Sequence, residues 1–176
     1  MRHAALSLIA LVTFGSGSAW GAQSTGGMFL AGGGSYFNKA SRDVTQNDWG
    51  VWAALGVSDA KQFGMVGAPS VEIDVRQAAG AGNRLQSVMF SYTERVPLSS
   101  SEGIYLGAGF GSTWGQVKIT SPESAATSSS RWGVGAKAVL GLSMRGSMAM
   151  EAGYLYTQEI AGFRTDGMVG GLVIHF

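Results

Sequence analysis

The chain has 176 residues, 28 of them glycine, with 13 % charged residues and no cysteine. Glycine at about 16 % and charge at roughly half the usual share of about 25 % argue against a helical bundle and against a disordered chain. A formal charge of +1 and the lack of cysteine exclude a basic nucleic-acid binder, a disulfide scaffold and a thiolate metal site.

The first element is an address. Met1-Arg2-His3 is a short basic start, Ala4 to Phe14 is an uncharged apolar run, and Gly15 to Ala22 is mostly small residues. This is the layout of a secretory signal. Residues 1–21 are therefore expected to be a signal peptide and 22–176 one domain; cleavage after Ala19 or after Gly21 fits. Removing Arg2 takes Lys+Arg from 12 to 11, equal to Asp+Glu at 11. No later stretch has the length and apolarity of a transmembrane helix.

The rest of the chain reads in twos. Successive strand residues face opposite ways, so a half-apolar strand shows as alternation. Eight such segments occur, at roughly 27–38, 48–58, 70–78, 85–96, 103–116, 131–144, 148–157 and 167–176. The clearest is Val71-Glu72-Ile73-Asp74-Val75-Arg76-Gln77. The apolar phase runs Trp49/Val51/Ala53/Leu55/Val57 in the second and Ile104/Leu106/Ala108/Phe110/Trp114 in the fifth. It runs Trp132/Val134/Ala136/Ala138/Leu140/Leu142 in the sixth. In the fourth, Val88/Phe90/Tyr92 is chosen, with the opposite phase open. The other phase carries glycine (Gly107, Gly109, Gly111, Gly133, Gly135, Gly153) and the ionic residues Glu72, Asp74, Arg76, Lys137 and Glu151. Glycine with few charges makes a poor water-facing surface. An apolar outside facing lipid, around a narrow lumen of small and charged groups, accounts for the pattern. The expected fold is an all-β, eight-stranded antiparallel up-and-down transmembrane β-barrel.

With the first strand rising from the periplasm, Tyr36, Trp49, Trp114, Trp132 and Tyr156 fall at one height near the outer rim. Interfacial aromatics belong there. Arg145-Gly146-Ser147 reads as a short periplasmic turn and Gln116 to Ser130 as a long serine-rich outer loop. Asp59 to Pro69 is too long for a periplasmic turn.

Two stretches carry a resemblance. Met168 to Phe176, with Leu172, Ile174 and Phe176 alternating to a final aromatic, is similar to the terminal assembly-signal strand of outer-membrane barrels. Glu151-Ala152-Gly153-Tyr154-Leu155-Tyr156 resembles the penultimate strand of opacity-type barrels, with Leu155 where a basic residue is frequent. The chain thus resembles the small eight-stranded outer-membrane proteins of Gram-negative bacteria, the OmpX/OmpA-like and opacity-type surface antigens. The resemblance implies a bacterial outer-membrane location and a non-enzymatic structural, adhesive or host-contact role carried by outer loops. The partners it implies are outer-membrane lipid and lipopolysaccharide, the barrel assembly machinery and host surface molecules, with no nucleic acid and no cofactor.

Chemistry is sparse. His175 is the single histidine after the signal, and it falls at the periplasmic rim, away from where outer-face enzymes of this fold class work. No serine–histidine or aspartate–histidine pair can be assembled at the outer face. Gly107-Ala108-Gly109-Phe110-Gly111 has the glycines of a nucleotide loop but strand phase and no following lysine. The inward set Glu72, Asp74, Arg76, Lys137 and Glu151 sums to −1. Arg76 is expected to reach across a narrow lumen towards Glu151. Such a set is a plug holding the barrel shut or a gate in a small diffusion pore, with the inward glycines leaving room for water. A lipid-modifying enzyme and a soluble ligand-binding barrel are further alternatives.

Overall fold

The computed structural model describes residues 27–58, 68–98, 103–121, 124–144, 147–159 and 164–176. The expected signal peptide, the 59–67 connection and residues 145–146 of the expected tight turn lie outside the described residues. Eight antiparallel strands close into a barrel in sequence order: β1 (Gly27–Phe37), β2 (Trp49–Ser58), β3 (Ala68–Gly80), β4 (Asn83–Pro97), β5 (Ile104–Ser121), β6 (Ser124–Ser143), β7 (Met148–Thr157) and β8 (Gly167–His175). β8 pairs with β1 to complete the ring.

Following register pairs once round the barrel fixes its stagger. From Gly27 the path runs through Ser58, Ser70, Thr93, Gly109, Lys137, Leu155 and Gly167. It returns to β1 at Phe37, ten residues beyond its start. Strands must tilt to produce that offset, and strand number and stagger together set the width of the barrel.

Alternation sorts the side chains as expected. Val51, Val71, Phe110 and Val134 point outward and are 64, 66, 69 and 63 % exposed. Val88, Phe90 and Tyr92 point outward from β4, which settles its phase, while Leu85, Ser87, Met89, Ser91 and Thr93 point inward. In β1, Phe29, Ala31, Ser35 and Phe37 point inward. Phe29, Trp52, Met89 and Leu155 are almost fully buried in the lumen. Each contributes roughly 1.5–3 kcal/mol by leaving water.

The inward glycines do not make water space. A Cβ on Gly111 would run into the Phe90 carbonyl, and one on Gly33 into the Gly170 carbonyl. At these two positions a neighbouring backbone occupies the place of the missing side chain; at Gly107, Gly109 and Gly135 the Val139, Thr93 and Thr113 side chains of adjoining strands do so.

The two ends differ. Between β1 and β2, helix α1 (Lys39–Thr45) lies over one mouth of the barrel. Asn38 caps it, its side chain accepting from the Ser41 N–H at 2.9 Å, and Gln46 ends it in a left-handed conformation. Its Val44 packs on an inward apolar layer of Phe37, Ala78, Leu85 and Val117, and the Val44 carbonyl accepts from Asn83 Nδ2 at 2.7 Å. β3 and β4 are joined by Ala81–Gly82, both with positive φ, 49° and 80°. This is the two-residue hairpin turn whose twist matches the strands.

Two expectations need correction. Gln116 to Ser130 is not a loop: β5 and β6 continue as a paired ribbon to Ser121 and Ser124. Lys118, Ile119 and Thr120 on β5 and Thr127 and Ser128 on β6 are exposed on both faces, so the alternation disappears there. Helix α1 was not expected at all.

Candidate functional site

The lumen holds an interlocked set of charges. β3 supplies Glu72 and Asp74, with side chains 1 and 2 % exposed. Strand alternation aims both inward, with Ser70 below them and Arg76 above. Glu72 accepts from Ser70 Oγ, from Arg95 Nη1 on the paired strand β4, and from Lys137 Nζ across the lumen on β6. Lys137 Nζ also donates to Asp74 Oδ2 at 2.7 Å, and Trp52 Nε1 donates to Asp74 Oδ1 at 3.1 Å. Arg95 continues the chain: its Nε donates to Glu151 Oε1 at 2.8 Å, and Tyr105 OH donates to the same oxygen at 2.9 Å. The Arg95 guanidinium lies 5.2 Å from the Phe29 ring centroid. Phe29 in turn packs tilted against His175 at 5.6 Å, near the rim opposite α1.

All five expected ionic residues point inward and are buried. Their connections differ from expectation. Glu151 bonds to Arg95 and Tyr105, not to Arg76. Arg76 is 1 % exposed, and its Nε, Nη1 and Nη2 have no hydrogen-bond partner among the described residues. Its guanidinium stands 5.4 Å from the Phe37 ring centroid, in the layer beneath α1. The reason is positional. Arg95 enters from β4 opposite Ala68, on the far side of Glu72 from α1, and its long side chain reaches Glu72 and Glu151, whereas Arg76 sits two residues beyond Asp74 towards the α1 mouth.

Arg95 also changes the balance. Glu72, Asp74 and Glu151 face Arg76, Arg95 and Lys137, so the strand-borne charges of the lumen sum to zero rather than −1. Arg95, Trp52, Ser70 and Tyr105 all carry the inward phase of their strands. Extending the chosen phase of β4 from Val88/Phe90/Tyr92 down to residue 95 identifies Arg95 from sequence alone.

A second polar cluster latches α1. Asp166 accepts from Asn38 Nδ2 and from Tyr154 OH, and the Arg164 carbonyl accepts from Ser41 Oγ and from Asn38 Nδ2. Arg42 donates to Tyr36 OH at 2.8 Å and to Asp48 at 3.0 Å. The Asp48 carboxylate holds that guanidinium's pKa above its ordinary value.

The five expected rim aromatics point outward, Trp49, Trp132 and Tyr156 being 63, 59 and 43 % exposed. Tyr36 pairs with Trp49 and Trp114 with Trp132. Allowing for the stagger, all five fall within about three residue steps of one height. Trp114 and Trp132 are not strand ends, because the β5–β6 ribbon runs on past them. Leu172, Ile174 and Phe176 point outward and are 44, 37 and 56 % exposed. No protein-family model matches the chain, and no curated protein matches it in sequence.

Each of the three strand carboxylates of the lumen is tied to at least one cation and one further donor. Salt bridges with satisfied remaining lone pairs are the form in which buried charges are tolerated.

Proposed function

We propose that the protein is a non-enzymatic outer-membrane barrel with a closed lumen, which stabilises the envelope and presents an outer surface for adhesion or host contact. The observation that carries this reading is the inversion of the barrel. Its outside is an apolar belt, and its inside holds a buried ion-pair network spanning β3, β4, β6 and β7, with the separate Arg76 bringing the strand-borne lumen charges to zero. In water that arrangement would expose the belt and bury the ions, both unfavourable. In a bilayer the same belt faces hydrocarbon. The outer surface on offer is α1 and the β5–β6 ribbon, both on the rim marked by the aromatics.

A diffusion pore has weaker support, because backbone or side-chain atoms of neighbouring strands crowd the inward glycines and Trp52, Met89 and Leu155 fill the bore. The test has two parts. The protein should co-fractionate with outer membrane and migrate faster on gels unheated than boiled; recovery as a soluble periplasmic protein ends the reading. In planar bilayers it should give no steady conductance, and stable channels would favour the pore.

A further inference from the structure

On the outward face of β3–β6, register pairs stack three levels near the α1 rim. The lowest is apolar: Val75, Val88, Trp114 and Trp132. One step up come Gln77, Gln86, Gln116 and Ser130, with Gln86 Nε2 donating to Gln77 at 2.9 Å and Gln116 Nε2 to Ser128 at 3.1 Å. One step further come Arg84 and Lys118, directly opposite each other on β4 and β5.

Like charges placed directly opposite across a strand pair repel. Neither cation has a carboxylate within salt-bridge distance among the described residues. The outward carboxylate of β4, Glu94, is ten residues away near the other rim and accepts from Tyr92 OH. Two exposed cations facing each other, with no counterion among the described residues, favour an anion from outside them.

The surroundings specify which anion. Arg84 and Lys118 sit four residues beyond Val88 and Trp114, about 13 Å along a strand and nearer 10 Å along the axis of a tilted barrel. Their stems can lie on the barrel while the charges reach the polar layer. Below them are an amide band and then aromatic rings, the order met along a lipid from headgroup to chains.

We propose that Arg84 and Lys118 together bind the phosphate of an anionic membrane lipid whose acyl chains lie on Val88, Phe90, Trp114 and Trp132. Arg84 supplies a planar fork of donors and Lys118 a point charge, and a bridging phosphate converts their repulsion into two charge-assisted contacts. The site rests on the membrane reading above.

The barrel is reconstituted into phosphatidylcholine vesicles containing a minor fraction of lipid with brominated chains, either phosphatidic acid or phosphatidylcholine. Bromine quenches the indoles beneath the site. Brominated phosphatidic acid is expected to be enriched at the barrel about tenfold or more over its bulk fraction, and brominated phosphatidylcholine not at all. The Arg84→Gln/Lys118→Gln variant should quench equally with both while keeping its heat-modifiable gel mobility. Arg84→Lys should retain most of the preference. Excess inorganic phosphate should leave it intact; its loss would reassign the site to free phosphate and overturn the lipid assignment. Equal quenching in the unmodified protein removes the site but keeps the membrane reading. Quenching by neither lipid removes both.

Discussion

Arg95 and Arg76 are both inward guanidiniums, on neighbouring strands, in opposite surroundings. Arg95 bridges two carboxylates and a serine hydroxyl and stacks near Phe29. Arg76, closer to α1, is buried more deeply and lacks a direct partner among the described residues. Asp74 is the nearest acid in sequence, but its oxygens are committed to Trp52 and Lys137. Asp166 is committed to Asn38 and Tyr154. The lower lumen is thus held by specific ion pairs. The upper lumen is held by apolar packing and a latched helix, and its cation contributes mainly through longer-range charge balance.

Substitutions separate these two regimes. Arg95→Ala strips Glu72 and Glu151 of their shared cation and should cost about 3–5 kcal/mol, the usual result of leaving buried charges unpaired. The check is the urea unfolding midpoint in detergent. Lys137→Met should cost about 2–3 kcal/mol, because Arg95 stays on Glu72 and the Trp52 indole on Asp74. At the upper level, Asn38→Ala removes the helix cap and the bond to Asp166, at about 1 kcal/mol. Its signature should be faster hydrogen exchange in α1 with little change in the strands; uniform acceleration would mean that the helix is part of the barrel's cooperative unit. Smallest is Arg76→Met, within about 1 kcal/mol of the parent, since the lost charge has no direct bond to break. If Arg76→Met costs as much as Arg95→Ala, the contrast between the two levels collapses.

The barrel itself was legible because one-sided burial writes a period of two. Where that condition fails, the reading failed. The Ser128-Ser129-Ser130 stretch forms strand without an apolar side chain on either face, so it reads as loop. Helix α1, Lys39–Thr45, is too short to display an apolar stripe, and its Asn38 cap is one weak signal. The inward acids were legible from Val71/Ile73/Val75, whereas their partners were not: pairing depends on stagger, which is set by closure of the whole ring. Arg95 falls outside the expected inward set because the phase of its strand is open, and only the closed ring brings its side chain to Glu151.

The Ala81–Gly82 turn has a consequence for how the chain assembles. It closes the β3–β4 hairpin, which carries Glu72, Asp74, Arg76 and Arg95 on its inward face, two acids against two bases. Glu72 meets Arg95 within that hairpin, before any other strand is needed. β6 and β7 carry the remaining inward pair, Lys137 and Glu151, one base and one acid. The buried inward charges of each hairpin therefore balance within that hairpin. The bonds that cross the lumen, Lys137 to Glu72 and Asp74 and Arg95 to Glu151, exchange partners between sets already balanced, so ring closure adds no net charge to the lumen.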